Sequence, residues 1–341
     1  MRNDLGKFFL KNTYNNPISL GGISESKLVD FFKKMTLIRK TELKVADLIR
    51  KKVINCPCHL CVGQEGISGG ILSHFKKGDT VFGNHRSHGH YLALGGNIKK
   101  FFFELQGKKE GCSKGMGGSM HLIDEKVGFS GSAPIVAGTI PLALGSALNN
   151  KILKNNNVSY AFFGDGACEE GVVHESLNLA SLYKLPIVFI VENNLFSSHL
   201  DVKDRQPSNS MARFAKANCI KNFTIDGNDV VKVSNTILEN IKNVRNGNGP
   251  LFIECVTYRW LGHVGPNDDI DVGVMRSKEQ LESWKKKDPI LRLKKSLVLK
   301  KILNNEDQNK IETKIENMIN KIVSATLKVK IDTLVPHHKF L

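Results

Sequence analysis

The chain has 341 residues and 41% hydrophobic content, enough for a substantial core, so disorder is not the expected state. Its 49 Lys and Arg exceed 33 Asp and Glu for a net charge of +16. The basic residues are dispersed, however, and the densest group, Lys285 to Lys287 with Lys294, Lys295, Lys300 and Lys301, is not interleaved with aromatics. A solvated helical face is expected there, with no nucleic-acid partner.

The apolar runs 185–191 and 135–148 are broken by Pro, Gly or Thr or end in small residues, so no membrane partner is expected. Residues 1–16 carry charge without the apolar core of a secretory signal, and the chain reads as cytoplasmic. Seven unpatterned cysteines suit reduced thiols there. Cys56, Cys58, His59 and Cys61 crowd around Pro57 too tightly for the two spaced ligand pairs of a zinc site.

In chain order, Ser24 is placed to cap a helix over 24–53, in which Leu28, Phe31, Phe32, Met35, Ile38 and Leu43 recur near helical spacing. A Gly- and His-rich region to about Gly131 has many turn residues and suits loops laid over a site. A small-residue helix over 135–148 leads to a buried strand over 158–163, which ends in Gly164-Asp165-Gly166. A helix over 171–183 and a strand over 186–191 follow, the latter leading into Glu192-Asn193-Asn194. A strand at 220–225, a helix at 230–244 and a strand at 250–257 continue the alternation, and from Lys278 the chain is helical and charged.

This alternation predicts an α/β fold with a doubly wound, mainly parallel sheet, whose ligands bind beyond the carboxyl ends of the strands. The expected organisation is an N-terminal extension over 1–23, a main domain over 24–290, and a charged helical segment over 291–341 packed on that domain or on a partner.

Both polar motifs fall at strand ends. Asp165, between two glycines, can point one carboxylate into the crevice while backbone approaches a ligand closely. Mg²⁺ prefers oxygen ligands and shares them between side chains and phosphates. Asn194 offers a neutral oxygen, and the backbone carbonyl of Phe196 a further one. Taken singly, GDG could be an ordinary strand-to-helix turn and Asn193-Asn194 a turn of its own.

Taken together, GDG and an Asn pair after an apolar strand resemble the thiamine-diphosphate motif. HLCVGQEG at 59–66, HRSHG at 85–89, KGMGGSMH at 114–121, GDGACEEG at 164–171 and YRWLGH at 258–263 extend the likeness. In this order they resemble the alpha subunit of the thiamine-dependent decarboxylating component of 2-oxo acid dehydrogenase complexes, over about 27–289. The resemblance implies the diphosphate-binding half of a thiamine-diphosphate-binding fold. It implies Mg²⁺ held by Asp165, Asn194 and the Phe196 carbonyl, and diphosphate contacts from Arg86 and His263. Gly166 and Ala167 would offer backbone amides, and Val136 would meet the aminopyrimidine through its backbone. His59, and less directly His88 and His263, would stand near the reacting end. For Arg86 a structural salt bridge is the rival role, for the other histidines backbone satisfaction, and for Gly117 and Gly118 mere turn positions.

The implied reaction is oxidative decarboxylation of a 2-oxo acid, pyruvate first, with the thiazolium ring as electron sink and acyl transfer to a lipoyl group. The Glu that activates the pyrimidine ring belongs to a separate pyrimidine-binding domain, so a beta subunit, an α₂β₂ assembly and a lipoyl acyltransferase are the implied partners. Three departures bear on substrate: His85 where Tyr commonly precedes the diphosphate-binding Arg, Val264 after His263, and LFSSHL after Asn194. Acetoin or branched-chain substrates therefore stay open, as does the amino-terminal half of a split transketolase. A noncatalytic scaffold is disfavoured by the presence of Asp165 and Asn194.

Overall fold

The structure, a computed structural model, describes residues 3–9, 16–268 and 276–330. The outer ends of the expected N-terminal extension and C-terminal segment lie outside the described residues.

The chain opens with α1 (Glu25–Arg50), α2 (Glu65–Ile71), β1 (Thr80–Gly83), α3 (His88–Ala93) and α4 (Ile98–Leu105). Then come β2 (Phe129–Ser132), α5 (Thr139–Leu153), β3 (Ser159–Gly164), α6 (Gly171–Leu182) and β4 (Ile187–Asn193). A small hairpin, β5 (Phe196–Ser197) and β6 (Leu200–Asp201), is followed by α7 (Ala212–Ala217), β7 (Lys221–Asp226), α8 (Val230–Arg245) and β8 (Leu251–Val256). Helices α9 (Lys278–Lys285), α10 (Pro289–Leu299) and α11 (Asn305–Leu327) complete the order.

Six strands form one parallel sheet in the order β2-β1-β3-β4-β8-β7, the doubly wound α/β architecture expected. The period-two alternation of a strand sorts its apolar residues between two cores. Tyr160, Phe162, Val188, Ile190, Ile253 and Cys255 join the α1, α2 and α8 side. Ala161, Phe163, Ile187, Phe189, Val191 and Phe252 join the α5, α6 and α7 side. With both faces covered, each buried aromatic or branched side chain contributes about 1.5–3 kcal/mol of transfer free energy. A third cluster holds Leu28, Phe31, Phe32 and Met35 of α1 against Ile290, Leu293 and Leu297 of α10. Helix α11 lies against α1 and α4.

Several expectations need correction. Ser24 stands at the N-cap of α1, but its side chain makes no capping bond and instead meets Ser26 Oγ at 3.3 Å. Leu43 faces outward at 46% exposure, since α1 buries its other sides against α2, α3, α10 and α11. The Gly- and His-rich region is not only loops. It supplies β1, an interior strand, and β2 as well as α2, α3 and α4. The strands are four residues each, too short for a periodic signal. Helix α5 starts at Thr139 rather than at 135, because Ala137 takes a left-handed φ of 61° and 134–138 turn over the strand ends. Lys287, assigned to a solvated face, is buried with Nζ donating to the carbonyl of Phe8 at 3.1 Å.

The KGMGGSMH loop is shaped by one carboxylate. Glu104, fully buried on α4, accepts from the amides of Ser113 (2.7 Å) and Gly115 (2.9 Å) through Oε2 and of Gly117 (2.8 Å) and Gly118 (3.1 Å) through Oε1. Gly118 has a φ of 56°, while Gly117 avoids a clash of any Cβ with the His121 carbonyl.

Candidate functional site

The chain moves from β1 outward to β2 and then back past β1 to β3, so strand order reverses between β1 and β3. At such a switch point the connections leaving neighbouring strands diverge and open a crevice. A cavity of about 210 Å³ lies there. Its lining comes from the turns after β1 (Asn84, His85, Arg86), β2 (134–137), β3 (Asp165, Gly166, Ala167) and β4 (Asn194, Phe196), joined by His59, Gln64 and His263.

Asp165 is 1% exposed, placed by the fully buried strand β3. Its Oδ2 takes Arg205 Nη2 at 2.5 Å, whereas Oδ1 is buried without a partner. Burial raises the carboxyl's pKa and Arg205 counteracts that rise. Asn194, also buried, donates from Nδ2 to Gln64 Oε1 at 3.2 Å and accepts the Phe196 amide at 3.3 Å. The intervening Leu195 has a φ of 72°, which swings the β5–β6 hairpin back over the Gly164–Gly166 turn. A Cβ at Gly166 would run into Ser197 of that hairpin. Asn193 points away, donating to Glu254 Oε1 at 2.7 Å, so only one member of the Asn pair faces the cavity.

The opposite wall is basic. Arg86 is 4% exposed and anchored by two carbonyls, of Leu60 at 2.7 Å and His263 at 3.2 Å. The His59 ring lies 4.6 Å from His85 and 4.8 Å from His263, with its buried Nδ1 unpartnered. Burial, then Arg86, pushes His59 down to about 2 and His85 down to about 3. A ligand nitrogen from each of His59, His85 and His263 lies within 4.8 Å of the others. Imidazoles could ligate a cation, but the adjacent Arg86 guanidinium repels one. The same field attracts an anion.

His59, Arg86, Val136, Asp165, Gly166, Ala167, Asn194, Phe196 and His263 thus meet in one cavity. His88 does not line it: the ring is fully buried, with Nδ1 2.6 Å from Glu42 and Nε2 2.7 Å from Ser119. No salt bridge to Arg86 is present among the described residues. Sequence reading missed Gln64, whose Nε2 is buried without a partner, although it lies within the HLCVGQEG stretch. It also missed Arg205, which no motif marks.

Hard oxygen donors around an unsatisfied carboxylate oxygen fit a metal of the Mg²⁺ type, and a buried arginine with imidazoles fits phosphate oxygens. Fold and crevice together define an α/β protein with a polar crevice at a strand-order reversal, of a kind suited to an anionic ligand. The family model described as "Dehydrogenase E1 component" matches residues 33–332, and the chain belongs to that family. The chain is 38% identical to the alpha subunit of acetoin:2,6-dichlorophenolindophenol oxidoreductase of Bacillus subtilis, over 89% of each chain. It is 33% identical to the pyruvate dehydrogenase E1 alpha subunit of Rickettsia felis, over 88% of this chain and 91% of that one. The corresponding subunit of Rhizobium meliloti is 35% identical, over 84% and 82% respectively. The chain is thus an alpha-type subunit of a thiamine-diphosphate-dependent dehydrogenase E1 component, an oxidoreductase. The split-transketolase alternative falls with that membership. Among the described residues, no helix is long and apolar enough to cross a membrane.

Proposed function

We propose that this chain anchors thiamine diphosphate through Mg²⁺ bound by Asp165 Oδ1, Asn194 Oδ1 and the Phe196 carbonyl. The observation that carries the reading is the buried, unpartnered Oδ1 of Asp165, a residue that lines the same cavity as Asn194, Phe196 and Arg86. Arg86, fixed by two carbonyls, holds the diphosphate with its remaining donors, assisted by His263 and the amides of Gly166 and Ala167. When bound, the thiazolium ring supplies the carbanion and electron sink for decarboxylation. His59, kept neutral by burial and by Arg86, accepts or donates a hydrogen bond at Nδ1 beside the substrate. Val136 presents its backbone to the pyrimidine. His88, held between Glu42 and Ser119, supports these loops from beneath.

The substrate in this reading is a 2-oxo acid, pyruvate first, with the acyl group passed to a lipoyl acyltransferase. Acetoin is the second reading, favoured by the 38% identity to the Bacillus subtilis subunit. The beta subunit brings the pyrimidine-binding domain and its activating Glu, and meets the cavity mouth at Ile135 and Val136, apolar side chains that are 72% and 50% exposed. The reading places the assembly in the cytoplasm.

The test is calorimetric. Thiamine diphosphate should bind only with Mg²⁺ present, and Asp165→Asn should abolish metal-dependent binding without unfolding the chain. Equal binding by Asp165→Asn would remove the proposed metal site. The copurified alpha–beta assembly, assayed for acceptor reduction with 2-oxo acids and with acetoin, separates the two substrate readings.

A further inference from the structure

The metal ligands proposed above sit on two separate pieces of chain, the Gly164–Gly166 turn after β3 and the segment from Asn194 into the β5–β6 hairpin after β4. A divalent ion needs both in register, because an octahedral site tolerates only small errors in ligand position. One side chain spans the two pieces. Arg205, with 5% of its side chain exposed, donates from Nε to the carbonyl of Leu200 on β6 at 3.1 Å and from Nη2 to Asp165 Oδ2 at 2.5 Å. Its Nη1 takes Glu169, in the 3-10 turn that follows Asp165.

From this geometry we infer that Arg205 is the positioning residue of the metal site, clamping the hairpin that carries Phe196 onto Asp165 and orienting Oδ1 of that carboxylate into the cavity. This rests on the metal reading above and adds a residue to it. The two carboxylate oxygens divide their work: Oδ2 is engaged by the guanidinium, and Oδ1 is left buried and unpartnered on a residue that lines the cavity. The planar guanidinium suits the task because its three nitrogens project along fixed directions to three acceptors on two elements. A lysine ammonium retains the charge but not the fork. The charge itself is offset locally by Asp165 and Glu169, so the clamp need not oppose a cation at Oδ1.

The test measures the apparent Kd for Mg²⁺ by calorimetry at saturating thiamine diphosphate, in wild type, Arg205→Lys, Arg205→Gln and Glu169→Gln. Hydrogen exchange of 195–205 is followed in the metal-free proteins. A clamp predicts at least a tenfold weaker Mg²⁺ Kd in both Arg205 variants, faster exchange of the hairpin, and a few-fold weakening in Glu169→Gln. That last variant removes the charge from one of three contacts, at an exposed residue, and keeps the inference testable if the Arg205 variants misfold. Mg²⁺ affinity within twofold of wild type in a folded Arg205 variant, or in Glu169→Gln if neither Arg205 variant folds, overturns the inference. Tighter binding overturns it as well, since Arg205 would then compete with the metal. Absence of Mg²⁺-dependent binding in the wild type instead removes the metal reading on which the clamp depends.

Discussion

His88 Nδ1 lies 2.6 Å from Glu42 Oε1, and the other ring nitrogen 2.7 Å from Ser119 Oγ, so one fully buried imidazole ties α1 to the KGMGGSMH loop. Removing it leaves buried polar groups without partners, each costing about 1–3 kcal/mol. His88→Ala should lower the urea midpoint and the activity together. An activity loss with an unchanged midpoint would instead give His88 a direct part in the chemistry.

Arg39 is the hub of a second buried network. Its Nε is 2.5 Å from Glu65, its Nη2 is 3.2 Å from Asp288, and its guanidinium lies 4.0 Å from the Trp260 ring centroid. Truncating one partner of a buried ion pair costs about 3–5 kcal/mol, because the other charge stays buried. Arg39→Met should destabilise the chain on that scale in denaturant unfolding. Adding Glu65→Gln should recover part of the loss; strict additivity of the two changes would deny the coupling.

Helices α2 and α8 pack closely at Gly70, where a Cβ would stand 2.5 Å from Val233 Cγ1 and 3.0 Å from the Val230 carbonyl. Gly70→Ala favours the helix intrinsically, yet overpacking here should outweigh that and cost about 1–3 kcal/mol net. A melting temperature at or above that of wild type would contradict the tight contact.

His74 offers a pH test away from the cavity. Burial, then Lys27, pushes it down to about 4, while its Nε2 lies 2.9 Å from Ser234 Oγ. Its folded pKa is thus below the unfolded value near 6.5. The unfolded chain binds the extra proton as pH falls below about 6.5, so this contribution to stability is complete above that pH and declines toward pH 4. His74→Gln should flatten the fall of melting temperature between those limits by about one proton's worth of slope. An identical pH profile for the variant would show that His74 titrates normally.

The legible parts of the molecule were those encoded by local pattern. The apolar run before Gly164 forces a buried strand, which leaves Asp165 as the polar residue at its carboxyl end. The same holds for β4 and Asn194. Strands β1 and β2 escaped because four residues cannot display a period, and their place in the sheet depends on pairing with β3 and with each other. Val136 and its neighbours read as helix because apolar small residues suit one, but the left-handed turn at Ala137 delays α5 and puts them at the cavity rim.

By itself, then, the sequence determined the alternation of strands and helices, the parallel sheet, and which polar residues stand at the carboxyl ends of its strands. Those are consequences of neighbouring residues and of period two against period 3.6. Only the tertiary structure decided that Arg86 meets the His263 carbonyl 177 positions away, that His59, His85 and His263 converge, and that Arg205 closes on Asp165 from a different connection. Such contacts arise where the reversal of strand order gathers distant turns at one end of the sheet, and no local pattern records which side chains will face each other there.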